Sequence, residues 1–201
     1  MKLSLKNPHS IEAVLEKRPS DVLEVKQDHS LALVLPKKEV DLEELFKTDK
    51  KHHGVWLGLD CVQDPRNVGA IFRTAAFFGV KGILLTEERS SPLTEVAYDT
   101  ASGGIEHVTF SIEKNLARSL KFAKEAGLWV LGTSEHEGEA VFSLQQDRNW
   151  LILFGNEEKG LRRLTLESCD VLSKIPPQHK IQSLNVSVAV GIYLGLFAKT
   201  N

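Results

Sequence analysis

From residue 55 onward, short and continuously apolar runs alternate with stretches of helical periodicity. The runs lie at 55–60, 82–86, 107–110, 129–132, 150–155 and 171–175. A strand with one wetted face would alternate apolar and polar residues, whereas a strand buried on both faces is apolar throughout, as in parallel sheets. The pattern therefore predicts an α/β domain, with a mostly parallel sheet and helices on both of its faces.

Three helices are predicted between and after these strands. The first spans 67–78, with Pro65 just ahead, Asn67 as its N-cap and Gly79 as its stop signal. The second spans 115–126, has one apolar face and ends at Gly127. The third, 183–199, is apolar nearly all round and is predicted to be a buried terminal helix.

Residues 1–53 have a different character. They predict a helix at 10–16, a strand at 31–35 and an acidic helix at 42–47, followed by a stretch rich in Lys and His at 47–53. We interpret 1–53 as a small N-terminal α/β appendage, and 47–53 as the linker to a main domain at 54–201.

Charge and composition restrict the class of protein. The formal net charge of −2 over 201 residues excludes a polycation that holds nucleic acid by counterion release alone. Cys61 and Cys169 are far apart without a CxxC motif, which favours reduced thiols. The apolar runs are strand-sized, and residues 1–10 lack a signal-peptide pattern, so we expect a cytoplasmic protein with no membrane contact.

Three segments at strand ends are candidates for chemistry, because ligands bind at the carboxyl ends of parallel strands. The first runs from Asp64 to Gly69 and continues to Arg73, the charged side chain of an otherwise apolar helix. The second runs from Gly155 to Arg163, and the third from Ile175 to Ser187. Each also has a purely structural interpretation, because Asn67, Ser183 and Asn185 can cap helices and the basic residues can form a solvated face.

Several enzyme classes find no support. Gly155 and Gly160 match the first half of a phosphate-binding loop, but Leu161 and Arg162 stand where Lys and Ser or Thr are required. No GxGxxG motif follows the first strand of the domain, which disfavours a dinucleotide-binding enzyme. The sequence has no HExxH or GxSxG motif, so metal hydrolysis and triad chemistry are unsupported and we expect no metal.

Taken together, the three segments resemble the signature blocks of the SpoU (TrmH-type) family of RNA ribose 2′-O-methyltransferases, which belong to the knotted SPOUT class. The resemblance covers about 55–201. The blocks are Asn67-x-Gly69-x-Ile71-x-Arg73-x-Ala75-x-x-Phe78-Gly79, then Gly155-Asn156-Glu157-x-x-Gly160-Leu161, and Ile175-Pro176 leading to Ser183-Leu184-Asn185-Val186-Ser187-Val188-Ala189.

The resemblance implies a C-terminal trefoil knot, with S-adenosylmethionine bound against it as cofactor. The implied cofactor-binding residues are Leu131, Gly132, Thr133, Gly155, Asn156, Ile175, Leu184 and Asn185. The implied catalytic residues are Arg73, Asn67, Glu157, Ser183 and Asn185. Two roles stay open for Arg73: a base that deprotonates the ribose hydroxyl, or a ligand of the flanking phosphate, since a guanidinium normally keeps its proton in proteins.

RNA is the expected partner, with ribosomal RNA favoured over transfer RNA. Residues 7–16 and 52–55 resemble the ends of the RNA-binding extension of ribosomal-RNA members of the family, although the middle is shorter here. Basic residues near the active edge are candidate RNA contacts: Arg66, Lys159, Arg162 and Arg163. The alternatives are a transfer-RNA ribose methyltransferase and a non-catalytic RNA-binding factor of ribosome assembly.

A homodimer is expected as well. The helix at 183–199 carries apolar residues on almost every face, including Val186, Val190, Tyr193 and Phe197, and one sheet cannot cover a whole cylinder. The family resemblance implies pairing near the knot, with the catalytic arginine reaching into the partner's site.

Overall fold

The structure of the protein, a computed structural model, describes residues 2–49, 51–180 and 183–197. Residue 50 of the predicted linker and the last residues of the predicted terminal helix lie outside the described residues, as do residues 181 and 182. The predicted trefoil knot stays a prediction.

Ten strands and eight helices are described. In chain order they are β1 (Leu3–Leu5), α1 (Pro8–Lys17), β2 (Val22–Val25), β3 (Ala32–Val34), α2 (Leu42–Leu45), β4 (Val55–Leu59), α3 (Pro65–Phe77), β5 (Gly82–Thr86), α4 (Glu95–Ala101), α5 (Gly104–His107), β6 (Phe110–Glu113), α6 (Leu116–Glu125), β7 (Trp129–Thr133), β8 (Glu139–Ala140), β9 (Trp150–Phe154), α7 (Arg163–Glu167), β10 (Val171–Lys174) and α8 (Val186–Phe197).

A seven-stranded sheet forms the centre of the molecule, in the order β6-β5-β4-β9-β7-β10-β8. Every pairing between these strands is parallel. The central strand β9 is buried along its whole length, as its continuous apolar sequence requires. The predicted α/β class with a mostly parallel sheet is confirmed.

Helices cover both faces of this sheet. On one face, apolar side chains of α3, α4, α5 and α8 share a core with the N-terminal strands. On the other face, side chains of α2, α6 and α7 form a second core. None of the helices in the described part of the chain is long and apolar enough to cross a membrane.

Several element boundaries differ from the sequence predictions, and two of the differences change an assignment. The strand predicted at 107–110 is wrong, because His107 ends helix α5 and β6 begins only at Phe110. Asn67 is not the N-cap of α3: Asp64 is, since its side chain accepts a hydrogen bond from the Arg66 amide at 2.8 Å and Pro65 opens the helix. Asn67 thus lies inside the first turn, where its side chain is buried.

The terminal helix α8 is buried on one face only. The sequence analysis named Val186, Val190, Tyr193 and Phe197 among the apolar residues around this helix, and all four pack into this chain's own core. These four do not need a second chain to cover them, and the homodimer stays a prediction. The opposite side carries Val188, which is 50% exposed.

The N-terminal residues form a three-stranded antiparallel sheet in the order β1-β3-β2. Strands β1 and β2 have three and four residues, too short for a periodicity signal. Helix α2, assigned to the appendage, packs Leu45 against the second core, and the Trp56 indole donates to the Leu45 carbonyl oxygen. The 53/54 boundary between domains stays a prediction.

A buried ion pair fastens the N-terminal segment to helix α5. Arg18 Nε lies 2.7 Å from Glu106 Oε2, and the Glu106 side chain is 1% exposed. Arg18 also binds Asp21. Burial alone would lower the pKa of Arg18, but its hydrogen bonds with Glu106 and Asp21 raise that pKa above its ordinary value. Because Glu106 is almost fully buried, loss of Arg18 would leave its carboxylate without this ion-pair partner.

Replacing Arg18 tests this consequence. Arg18→Met leaves the Glu106 carboxylate buried without its cation, and we expect the free energy of unfolding to fall by about 3 to 5 kcal/mol in urea denaturation. Glu106→Leu added to Arg18→Met should recover most of the loss. Arg163→Met, which removes an exposed pair with Glu167, is the control and should leave stability nearly unchanged. A small effect of Arg18→Met would contradict the assignment.

Candidate functional site at the carboxyl ends of the parallel strands

A cavity of about 480 Å³ opens at the carboxyl ends of β7, β9 and β10. It is lined by parts of the loops that follow these strands, 133–137, 155–161 and 175–179, and by the start of α8. The neighbouring strands β4 and β9 lead to helices on opposite faces, α3 and α7. Such a switch point is where open α/β sheets bind ligands, and the volume suits a small molecule.

Apolar side chains form much of the cavity wall. They are Phe154, Leu161, Leu166, Ile175, Val186 and Tyr193. The Tyr193 hydroxyl donates a hydrogen bond to Ser173 Oγ at 3.1 Å, and burial raises the pKa of Tyr193. Tyr193 is therefore a neutral part of the wall and is unsuited to act as a base.

The loop after β9 folds back tightly over Gly155. The amides and carbonyls of Asn156 and Gly160 bond to each other at 3.1 and 2.9 Å. A Cβ at Gly155 would lie 2.1 Å from the Gly160 carbonyl carbon, well inside the closest non-bonded approach of a Cβ, so the backbone would have to shift. Gly160 itself has φ +64°, in the left-handed region that favours glycine. The two glycines are thus required for different reasons.

A chain of side-chain hydrogen bonds runs from the cavity to helices α3 and α8. Asn67 Nδ2 donates to Glu157 Oε1 at 3.0 Å, and Asn185 Nδ2 donates to Asn67 Oδ1 at 3.0 Å. Asn185 Oδ1 in turn accepts from the Ser187 amide and hydroxyl. These bonds fix the orientation of Glu157, which lines the cavity.

The charged side chains at the cavity are mostly acidic. Four carboxylates line it, from Glu135, Glu137, Glu157 and Glu158, against the single ammonium of Lys159. A negative rim attracts a cationic ligand and repels phosphate groups. Together with the absent P-loop lysine, this rim disfavours a nucleoside triphosphate as the occupant.

Comparison with known proteins identifies the family. The SpoU rRNA Methylase family matches residues 54–195, more than half of the chain. The chain belongs to this family. The 23S rRNA (guanosine-2′-O-)-methyltransferase RlmB of Nitrosomonas europaea is 42% identical over 138 residues, which are 69% of this chain and 53% of that protein. The chain spans less than two thirds of this relative's length.

Solved structures of SpoU proteins have the same fold. The SpoU methyltransferase AviRb from Streptomyces viridochromogenes, solved with the cofactor AdoMet, has a TM-score of 0.80 at 18% identity, covering 98% of this chain and 89% of that one. The A. aeolicus TrmH/SpoU tRNA modifying enzyme has a TM-score of 0.63 at 26% identity, covering 78% and 79%. The likeness to AviRb extends into the N-terminal segment.

Most of the predicted cofactor-binding residues of this SpoU chain line the cavity. They are Thr133, Gly155, Asn156, Ile175 and Leu184. Leu131 and Gly132 lie behind the wall: Leu131 belongs to the core, and a Cβ at Gly132 would point at Cys169 Sγ, 2.6 Å away. Asn185 reaches the cavity only through Asn67 and Glu157.

The predicted catalytic residues fall into two groups. Glu157 and Ser183 line the cavity, and Asn67 and Asn185 belong to the hydrogen-bond chain. Arg73 is separate. Six residues along a helix turn a side chain by about 240°, so Arg73 points away from the Asn67 side of α3. Its side chain is exposed and has no hydrogen bond or ion pair with any described residue.

The four predicted RNA contacts differ in their surroundings. Lys159 lines the cavity, and Arg66 is exposed on the first turn of α3. Arg163 is exposed and pairs with Glu167. Arg162 instead reaches inward to Asp60, with its Nε 2.8 Å from Asp60 Oδ1.

Sequence reasoning missed several residues of the site. Glu135 and His136 line the cavity from a loop without a motif, so no sequence signal pointed to them. Asp60 was taken as the last residue of a strand, although a carboxylate ending an apolar run is itself a signal of a specific partner. Among the described residues, no group of three or more His, Cys, Asp or Glu side chains is arranged to hold a metal ion.

The two loop glycines offer a matched pair of substitutions. In Gly160→Ala the new Cβ has no atom within 4 Å, so the substitution costs only the strain of the left-handed backbone. We expect this strain to lower the free energy of unfolding by about 1 to 2 kcal/mol. Gly155→Ala forces the loop away from β9, so we expect a larger loss of unfolding free energy in urea denaturation, together with a changed cavity. Equal losses for the two variants would show that the close packing over Gly155 is not a constraint.

Proposed function

We propose that this protein transfers a methyl group from S-adenosylmethionine to a ribose 2′-hydroxyl of structured RNA, and that this RNA is ribosomal. The observation that carries the proposal is the cavity at the strand ends with Glu157 held in its wall by Asn67 and Asn185, in a chain of the SpoU family. The RlmB relative of Nitrosomonas europaea is bacterial, and because bacteria make ribosomal RNA in the cytoplasm, we expect the protein to act there.

The cavity fits S-adenosylmethionine. Its volume lies in the small-molecule range, its apolar wall suits an adenine ring, and its acidic rim suits the sulfonium and ammonium groups. Thr133, Gly155, Asn156, Ile175 and Leu184 would hold the cofactor. When bound, it supplies an electrophilic methyl group.

The chain's own residues would orient the ribose. Glu157 cannot rotate freely, because Asn67 donates to one of its oxygens and is itself fixed by Asn185. A carboxylate fixed in this way is suited to accept a hydrogen bond from the attacking hydroxyl and so align it with the methyl group. Positioning of this kind supplies much of the rate of a displacement between two bound reactants.

Arg73 is assigned to a second copy's site. It points away from its own chain's Glu157, and Phe77, one turn further along α3, is 83% exposed. Exposed apolar groups of this size, with Leu184 and Val188 on the segment that leads into α8 and on α8 itself, support a homodimer. In such a dimer Arg73 would bind the phosphate next to the target ribose, because a guanidinium is a poor base and a good phosphate ligand.

Ribosomal RNA is favoured because RlmB proteins, which carry that activity in their names, are similar over most of this chain. Transfer RNA is the second candidate, since one SpoU protein of similar fold is named as a tRNA modifying enzyme. A non-catalytic role in ribosome assembly is disfavoured by the presence of Glu157, Asn67 and Asn185 in a connected arrangement.

The proposal predicts both ligand binding and the site of methylation. S-adenosylmethionine at about 100 times its Kd should raise Tm by roughly 5 to 10 °C, while ATP and NAD should not. Ribosomal RNA from cells lacking the gene should accept labelled methyl groups at one ribose. The same RNA with 2′-deoxyribose at that nucleotide should bind and accept none. Methylation of the deoxy substrate would refute ribose chemistry, and labelling of transfer RNA alone would correct the substrate.

A mixing experiment tests the assignment of Arg73. Arg73→Ala should abolish transfer while binding S-adenosylhomocysteine normally, and Ile175→Asp should abolish cofactor binding. If Arg73 acts across a dimer, mixing the two inactive chains restores one complete site in each heterodimer, giving about a quarter of wild-type activity after random exchange. Sedimentation must confirm heterodimers. Confirmed heterodimers without activity would mean that Arg73 acts within its own chain.

A further inference from the structure

The carboxyl end of strand β4 holds the loop after β9 at both of its ends. At the start of the loop, Asn156 Nδ2 donates to the Cys61 carbonyl oxygen at 3.1 Å. At its end, Asp60 binds Arg162 and Thr165, which open and continue helix α7. The cavity-lining residues 156–161 lie between these two attachments.

The Asp60 carboxylate is the stronger of the two attachments. Its side chain is 0% exposed, so its charge needs compensation inside the protein. Arg162 Nε lies 2.8 Å from Oδ1, and Oδ2 accepts hydrogen bonds from Thr165 Oγ1 at 2.8 Å and from the Arg162 amide at 3.3 Å. A buried carboxylate satisfied on both oxygens by one segment fixes that segment's position.

The backbone at the attachment point is itself specified. Cys61 has φ +63°, a conformation that non-glycine residues rarely adopt. Its amide is held by Thr86 Oγ1 at 2.9 Å, and burial raises the pKa of its thiol. Neighbouring elements therefore impose a strained turn, and that turn directs the Asp60 side chain towards α7 and the Cys61 carbonyl towards Asn156.

We propose that Arg162 and Asp60 are positioning residues for the cofactor wall, and that Arg162 is not a contact to RNA. This inference rests on the proposed function. Arg162 is 46% exposed and lies in a basic run with Arg163, so its position on the surface suggests phosphate binding. Its guanidinium nevertheless compensates the buried Asp60, and losing it would release the end of the loop that walls the cavity.

Arg163 provides a matched control. It is the next residue, carries the same charge and is 82% exposed in a pair with Glu167 across one helical turn. Nothing joins Arg163 to Asp60 or to the cavity wall among the described residues. If both arginines act only by binding RNA phosphates, replacing either one should change RNA binding in the same way. If Arg162 acts through Asp60, replacing Arg162 should weaken cofactor binding, and replacing Arg163 should change RNA binding.

The test measures two affinities in each variant of the full chain: Kd for S-adenosylhomocysteine by calorimetry, and the salt dependence of RNA binding. Arg162→Ala should raise Kd for S-adenosylhomocysteine about tenfold, because the wall shifts. It should leave the slope of log affinity for RNA against log salt unchanged. Arg163→Ala should leave Kd for S-adenosylhomocysteine within twofold and reduce the slope by about 1.

Two further variants separate positioning from loss of folding. Thr165→Val keeps the ion pair but removes one hydrogen bond to Asp60, and it should weaken S-adenosylhomocysteine binding less than Arg162→Ala does. Thr165→Ser keeps the hydroxyl that donates to Asp60 and should bind S-adenosylhomocysteine as the wild-type protein does. Arg162→Lys keeps the charge and should recover part of the affinity. If Arg162→Ala shows no cooperative thermal unfolding and so is not folded, Thr165→Val and Arg162→Lys take its place. Each should weaken S-adenosylhomocysteine binding in the same direction but by a smaller factor.

The outcomes distinguish this inference from the proposed function. Wild-type protein that does not bind S-adenosylhomocysteine overturns the proposed function. Wild-type protein that binds it, with Arg162→Ala binding equally well and showing a reduced salt slope, overturns the inference and makes Arg162 an RNA contact. Loss of both affinity and slope in Arg162→Ala also overturns it, because positioning alone leaves RNA binding unchanged.

Discussion

The whole site depends on the parallel pairing of β4 with β9. Parallel strands end at the same edge of a sheet, so Leu59 and Phe154, which pair in register, release their following loops side by side. One loop leads to α3 on one face and the other to α7 on the opposite face. The cavity opens beside this pair, bounded by the loops after β9, β7 and β10. Asn67 on α3 and Asn185 ahead of α8 are joined by hydrogen bonds to Glu157 in the loop after β9.

Helical periodicity gives α3 one buried side and one exposed side. Its buried side carries Asn67, Ile71 and Ala75, which pack on the sheet or join the polar chain. Its outer side carries Arg73 and Phe77, which are both exposed. A shift in register of half a turn, about two residues, would exchange these sides. Residues close together in the sequence motif therefore point in different directions, and the motif alone does not tell which of them lie near the cavity.

The sequence predicted what depends on local pattern. Continuous apolar runs identified five strands of the main sheet, whereas the run at 107–110 reaches β6 only at its last residue and the two-residue β8 was missed. Gly155 and Glu157 were found because motif and strand end coincide. Burial on one side of α8 was not predictable, because the helix is apolar on all sides and only packing selects a face. The same holds for Arg162: the sequence has two adjacent arginines, and the position of Asp60, 102 residues earlier, distinguishes their surroundings.

The N-terminal segment extends this reasoning to the back of α3. Arg18 holds Glu106 on α5, and the start of α5 lies so close to α3 that a Cβ at Gly104 would be 2.7 Å from the Arg73 Cα. Helix α4 approaches α3 equally closely at Gly69, and Asp99 on α4 accepts hydrogen bonds from the backbone amides of residues 6 and 7. The segment that sequence analysis treated as an appendage therefore packs on the helices that support α3. Because backbone contact leaves α3 little freedom to shift, the position of Arg73 on the surface is set from within the fold.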